Sequence, residues 1–291
     1  MSVSLGRRWA TFIRERFPLS THLPMIALFT AMHAVLAPSA DLVRTSALGA
    51  ILLLFFFRMR LFDEIKDADT DFVLHPERPV PRGLLTVKQI KHTIALCFVL
   101  EIFLCLAFPR LLPFLWIAQG YSLLMYREFF IGGWLRPHLT TYAVTHTVVV
   151  VFLSLFSFCM AGGILPWELP LRAFGVALGC WGVFNVFEFG RKTFAAAEER
   201  PGVASYSKVW TRGGAFVLNL SQVLISLFAL GWAVPFAPLQ WGIAAGITAL
   251  FAGCGAAYLV RNTARAAKIY RGVSGLSIML VLGLGVLHAL Y

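Results

Sequence analysis

Between Asp63 and Asp71 the stretch DEIKDADTD holds five carboxylates in nine residues, although the 291-residue chain has only 14 Asp plus Glu. Asp63, Asp67 and Asp71 are four apart, so a helix through them stacks their side chains along one face with about 40° of drift per step. Glu64, three before Asp67, leans to the same side. Stacked carboxylates repel by about a few tenths of a kcal/mol per pair in water, and by more against a low-dielectric wall. Lys66 alone does not offset them. Mg²⁺ would, since it prefers carboxylate oxygens and completes its shell with water and substrate phosphates. Arg78 and Arg82 follow on the Pro-containing segment HPERPVPRG, residues 75–83. Guanidinium groups grip phosphate through paired hydrogen bonds. Acids that hold a metal beside arginines that hold phosphate make a set suited to a diphosphate. The alternative is a solvated acidic loop with incidental spacing.

The elements that must carry these residues are apolar helices. The chain is 59% hydrophobic and 13% charged, against roughly 25% charged for a soluble domain, so it reads as one polytopic membrane unit over residues 1–291. About 20 apolar residues span a bilayer, and nine stretches qualify: 22–40, 43–62, 92–109, 111–127, 139–161, 170–190, 213–234, 239–260 and 272–290. They are continuously apolar with no alternation, which excludes a β-barrel and predicts helices. With the N-terminus cytoplasmic, all of the 25 Lys and Arg except Arg44, Arg110 and Arg172 fall on the cytoplasmic side, as the positive-inside rule requires. That places the tail 1–20, the acidic loop 63–91 and the loop 188–212 in the cytoplasm and the C-terminus opposite. The +11 net charge is then a lipid-surface signal, and nucleic acid need not be invoked. The first span reads as an uncleaved signal anchor. Before it, Trp9, Phe12 and Ile13 share one helical face with Arg14 and Arg16 turned away, which predicts a short amphipathic helix along the membrane surface. The five cysteines lie in apolar stretches without a CxxC pair, so no zinc site is indicated.

The segment D-E-I-K-D-A-D-T-D followed by H-P-E-R-P-V-P-R-G resembles the first aspartate-rich motif of the UbiA prenyltransferase superfamily, N-D-x-x-D-x-x-x-D and then R-P-I-P-x-G. Asp63 stands at the Asn position, and Glu64, Asp67 and Asp71 at the three acids. Glu64 keeps the charge on a longer arm. The resemblance implies an all-α integral membrane fold of nine transmembrane helices around a central cavity. It also implies Asp63, Asp67 and Asp71 as catalytic residues, and Mg²⁺ bound through them with Glu64.

The family's second acidic motif follows helix six. Here that region reads NVFEFGRKTFAAAEERPGVASYSKVW, and a D-x-x-x-D pair is absent. Asn185 and Glu188 stand three apart, with Arg191 and Lys192 after them and Glu198 and Glu199 further on. Glu188 is the expected metal ligand, with Arg191 and Lys192 taking over charge that a second metal would neutralise; the alternative is that both are topology charges. After helix four, YSLLMYRE places Arg127 where the family has a phosphate-gripping cation. Arg78, Arg82, Arg127, Arg191 and Lys192 are therefore the candidate diphosphate-binding set. Glu101, His146 and Asn185 are candidate polar groups of the cavity, because an acid within a span is functional or paired, while amides and histidines are often interhelical glue. Asn219 and Gln222 belong with that glue. Phe55, Phe56 and Phe57 are candidates to line a prenyl-chain cavity, since ring faces attract cations.

The resemblance implies Mg²⁺-dependent transfer of a prenyl group from a prenyl diphosphate to a lipophilic, aromatic acceptor in the bilayer. The alternatives are a cyclase that uses no acceptor, phosphoribosyl transfer to a polyprenyl phosphate, and, in another class, a non-enzymatic metal-handling membrane protein. Against the last, the acids cluster at the surface and not in broken helices at the midplane.

Overall fold

A computed structural model describes residues 4–290. They are helical, with no strand among the described residues. In chain order the helices are α1 (Leu5–Arg16), α2 (Leu19–Leu36), α3 (Leu42–Lys66), α4 (Ala68–Leu74), α5 (Val87–Cys105), α6 (Leu112–Tyr126), α7 (Gly132–Leu135), α8 (Leu139–Thr147), α9 (Val149–Gly162), α10 (Leu171–Arg191), α11 (Tyr206–Val209), α12 (Thr211–Ala233), α13 (Pro238–Arg261) and α14 (Ala264–Val286).

Among the described residues, seven helical segments are long and apolar enough to cross a membrane: α2, α3, α8–α9 as one span, α10, α12, α13 and the segment that begins with α14. Seven of the nine expected spans meet that length and composition. The stretches 92–109 and 111–127 are helical, but α6 has only 15 residues, about 22 Å at 1.5 Å per residue. α5 carries Lys88, Lys91 and Glu101 within its 19 residues. Exposed Leu42, Val99, Phe103, Trp167, Phe228, Trp232 and Val260 leave an apolar exterior that water would not tolerate.

α3 is the element that presents the acids. Asp41 caps it, accepting from the Arg44 amide at 2.9 Å. Its 25 residues give about 37 Å, longer than a hydrocarbon core of about 30 Å. The expected span 43–62 is therefore the lower part of a longer helix. Arg58 and Arg60 lie within it and not in a loop. At Asp67 the chain turns into α4, which ends before His75-Pro76 because proline cannot continue a helix. Gly83, at φ +75°, closes the turn before the Thr86–Gln89 capping box that starts α5.

On the other side, α10 lies close against α12. A Cβ at Gly179 would stand 3.1 Å from the Ser226 carbonyl, and one at Gly182 3.1 Å from that of Gln222. Small residues at this spacing let two backbones approach in a membrane, and Ser226 Oγ donates to the Gly179 carbonyl at 2.6 Å. Asn219 bonds Tyr270 Oη of α14. α10 and α12 thus form a rigid wall opposite α3.

Candidate active site

The ends of α3 and α10 carry the charges that sequence and spacing single out. Beneath them, Phe56 of α3 stacks on Phe184 of α10 with ring centroids 5.9 Å apart, and Phe29 of α2 meets Phe184 edge-on at 6.3 Å. Of the three consecutive phenylalanines only Phe56 takes part in this floor. Phe55 is buried beneath Arg58, and Phe57 packs against Phe12 and Phe17.

Asp63 keeps half of its side chain accessible, with Arg60 at 3.5 Å. The charges acting on it come from Asp67, Lys66, Arg191 and Glu188, so the two motif regions face each other. Asp67 makes no ion pair among the described residues. It is accessible yet crowded by protein, and that crowding, with the charge of Asp71, holds its carboxyl above the usual carboxylate range. Asp71 is paired with Arg78 at 2.5 Å.

Glu64 departs from its expected role. Its side chain is 1% exposed and accepts from Arg16 Nε at 2.5 Å and from Arg60 Nη2 at 2.9 Å. Two arginines neutralise it, and its carboxylate is buried where Asp63 and Asp67 are accessible. Arg82 departs as well: it bonds Glu15 at 3.0 Å and the Glu77 carbonyl, away from Asp63 and Asp67.

Across the gap, Glu188 is chelated by Arg191 through two bonds of 2.5 and 2.8 Å, and Lys192 stands 3.5 Å away. Two cations over one carboxylate leave an excess of positive charge. Burial draws the Lys192 ammonium below its ordinary value against the pull of Glu188. Glu198 and Glu199 do not join this group. Glu198 pairs with Arg271 at 2.6 Å, and Glu199 accepts from Ser205 and Ser207.

A third group was largely missed. Lys66 Nζ lies 2.8 Å from Tyr142 Oη, 3.4 Å from His146 Nε2 and 3.8 Å from Glu128. Arg136 bonds Glu128 at 2.6 Å. Burial raises the Glu128 carboxyl, but the Arg136 bond and the Lys66 charge outweigh it and hold it below its ordinary value. Glu128, Phe129 and Phe130 all have positive φ, a left-handed turn that costs about 1–2 kcal/mol per residue. Gly132 permits it, because a Cβ there would meet Glu128 Oε2 at 2.2 Å. The Gly132-Gly133 pair was the sequence signal for such a turn. Arg127, the expected cation of this region, is exposed and makes no ion pair among the described residues; Arg136 and Lys66 stand here instead.

Two of the three expected cavity groups are structural. Glu101 is fully buried and receives Arg58 Nε and Nη2 at 2.8 and 3.1 Å and Gln119 at 3.0 Å. It ties α5 to α3 and α6. Asn185, also buried, accepts from Thr147 and donates to Gln222. His146 alone reaches the charged cluster.

Among the described residues no three His, Cys, Asp or Glu side chains converge as a ready metal cage. Mg²⁺ usually needs only one or two carboxylates plus waters and substrate phosphates. Asp63 and Asp67, open and adjacent, fit one such ion. Glu188, the expected ligand on the other side, is held by Arg191 and Lys192.

No family sequence model and no curated protein sequence matches the chain. Solved structures do. A UbiA homolog from Aeropyrum pernix K1 superposes with TM-score 0.63 at 13% identity, over 93% of this chain and 98% of its own. A digeranylgeranylglyceryl phosphate synthase superposes with TM-score 0.61 at 14% identity, over 97% and 99%. With those neighbours and its apolar helices, the chain is an integral membrane protein that has the UbiA fold.

Proposed function

We propose that this protein is a UbiA-type prenyltransferase that moves a prenyl group from a prenyl diphosphate to a lipophilic, aromatic acceptor within the membrane. One observation carries the reading: open carboxylates, Asp63 and Asp67, face a cation-rich cluster, Glu188–Arg191–Lys192, above the ring floor of Phe56 and Phe184. Such a site offers each part of an allylic diphosphate its own environment. The fold neighbours include a digeranylgeranylglyceryl phosphate synthase, which supports prenyl chemistry on this scaffold.

Asp63 and Asp67 would hold one Mg²⁺, which when bound supplies positive charge to the diphosphate oxygens. Lys192 and Arg191 bind the same diphosphate from the α10 side and stabilise the charge that grows on it as the carbon–oxygen bond breaks. Arg78 fixes Asp71 and neutralises it, which keeps a third carboxylate from repelling the diphosphate. Phe56 and Phe184 present ring faces to the cationic carbon and keep water from it. The acceptor then forms the new carbon bond and loses a proton. In this reading the motif loops face the cytoplasm, where soluble diphosphates are present.

The test is diphosphate release from geranylgeranyl diphosphate by the detergent-purified full-length protein with Mg²⁺, with and without a panel of lipophilic phenols. Wild type releases diphosphate, and Asp67→Asn lowers the rate at least about a thousandfold, the scale of losing an electrostatic group aimed at developing charge. Asp67→Asn at wild-type rate would sink the reading. Product that needs no acceptor would instead make the protein a cyclase.

A further inference from the structure

The helix expected to lie on the membrane surface is packed against the acidic motif. The apolar face of α1, Trp9, Phe12 and Ile13, joins a cluster with Leu61 of α3, Val80 and Leu85 of the loop and Ile90 of α5. Phe12 is fully buried there. Three polar ties run beside it. Arg8 Nε donates to the Leu84 carbonyl at 2.5 Å, Arg82 bonds Glu15 at 3.0 Å, and Arg16 Nε donates to Glu64 Oε1 at 2.5 Å. α1 therefore grips the motif at its first acid and at the far end of the loop. Arg7 and Arg14 remain exposed on its outer side.

Glu64 is the hinge of this arrangement. It is 1% exposed and shared by Arg16 and Arg60, whereas Asp63 beside it is half open. Neighbours on a helix diverge by about 100°, so the side that carries Glu64 turns toward α1 while Asp63 faces α10. A glutamate arm is one methylene longer than that of an aspartate, which carries the carboxylate out to α1. Taking Glu64 for a cation would take from Arg16 its carboxylate partner and leave Arg60 only Asp63.

We infer that Glu64 is not a cation ligand but the anchor that seats α1 on the motif loop, with Arg16 as its partner, so that the helix before the first span holds the acidic loop in place. This deepens the cation-site reading and borrows from it only the choice of probe. The arginine–carboxylate pair is the specific element: the apolar face alone would fix the position of α1 along the groove, while the pair ties it to the residue that stands between the open acids.

Two measurements on the detergent-purified full-length protein test it. The first is Mn²⁺ binding, read from the free-ion paramagnetic resonance signal with inorganic diphosphate present. Glu64→Gln and Glu64→Asp hold the wild-type affinity within about twofold, while Asp67→Asn loses at least about tenfold, a 1.4 kcal/mol difference. The second is the rate of tryptic cleavage at the exposed Arg14. Arg16→Met and Glu64→Asp each raise it about tenfold, the loss of one charge-assisted bond. Arg16→Met/Glu64→Gln raises it no further than either single change, and Arg16→Lys restores part of the protection. Glu64→Asp, which keeps the charge, serves if Glu64→Gln fails to fold. Loss of Mn²⁺ by Glu64→Gln as deep as that by Asp67→Asn, or unchanged cleavage in Arg16→Met, overturns the inference. Absence of Mn²⁺ binding by wild type would refute the cation reading and leave the cleavage arm to decide the anchor.

Discussion

Replacing Arg58 by methionine should be the most damaging single change in this bundle outside the charged site. Arg58 and Glu101 are both fully inaccessible, joined at 2.8 and 3.1 Å. Arg58 also donates to Ser122 Oγ at 2.8 Å, and its guanidinium lies 3.8 Å from the Phe98 ring centroid and 4.4 Å from that of Phe55. Methionine keeps the apolar stem but leaves the buried Glu101 carboxyl with Gln119 as its one partner. Breaking a buried pair this way costs about 3–5 kcal/mol. At roughly 2–4 °C per kcal/mol for chains of some 200 residues, the midpoint should fall by about 10 °C. Thermal unfolding in detergent, followed by a thiol-reactive dye, reads this directly, because Cys97, Cys105, Cys159 and Cys180 are all buried and free. The double variant Arg58→Met/Glu101→Gln removes the stranded charge and keeps the bond to Gln119, so it should recover about 2 kcal/mol or more. A single variant within about 2 °C of wild type, or a double variant less stable than the single, would refute the assignment of this pair as a charge that each partner must neutralise.

Two further changes follow from the geometry. Gly132→Ala places a Cβ 2.2 Å from Glu128 Oε2, which must then leave Lys66 and Arg136; diphosphate release should fall by about a hundredfold, as for a 1 Å misplacement, with unfolding shifted by under about 2 kcal/mol, and an active variant would show that the left-handed turn is incidental. The Arg271 bond holds Glu198 below its unfolded value of 4.5, so its contribution is complete above that value and is lost as pH falls through the lower folded one. The pair is part exposed, which limits it to about 0.5–1 kcal/mol, and Arg271→Met should flatten the acid limb of stability below pH 4.5; an acid limb parallel to wild type would count against it.

The helices and the acids at the end of α3 were legible in the sequence for one reason. Apolar length and the i, i+4 spacing of Asp63, Asp67 and Asp71 are local properties that survive any packing. The stretches 92–109 and 111–127 stand apart from the other seven, because α5 carries three charges and α6 has 15 residues. Arg58 illustrates a different limit. Next to Arg60 at the end of an apolar run it reads as a surface charge, and only the arrival of Glu101 from α5, 43 positions on, makes it a core residue. The Lys66–Tyr142–His146–Glu128 group is spread over two helices and a left-handed turn, so no short window of sequence contains it.

The sequence by itself determined that this chain lives in a membrane, that it concentrates carboxylates at the end of one helix, and that Glu188, Arg191 and Lys192 stand together at the end of another. Composition and periodicity act locally, and a bilayer admits few folds for such a chain. The partner of each charge was decided by tertiary structure alone. Coulomb attraction over a few ångströms depends on which helices are adjacent and not on their order in the chain. That is why Glu64 belongs to Arg16, Glu188 to Arg191, and why Asp63, Asp67 and Asp69 are the acids of the stretch left accessible.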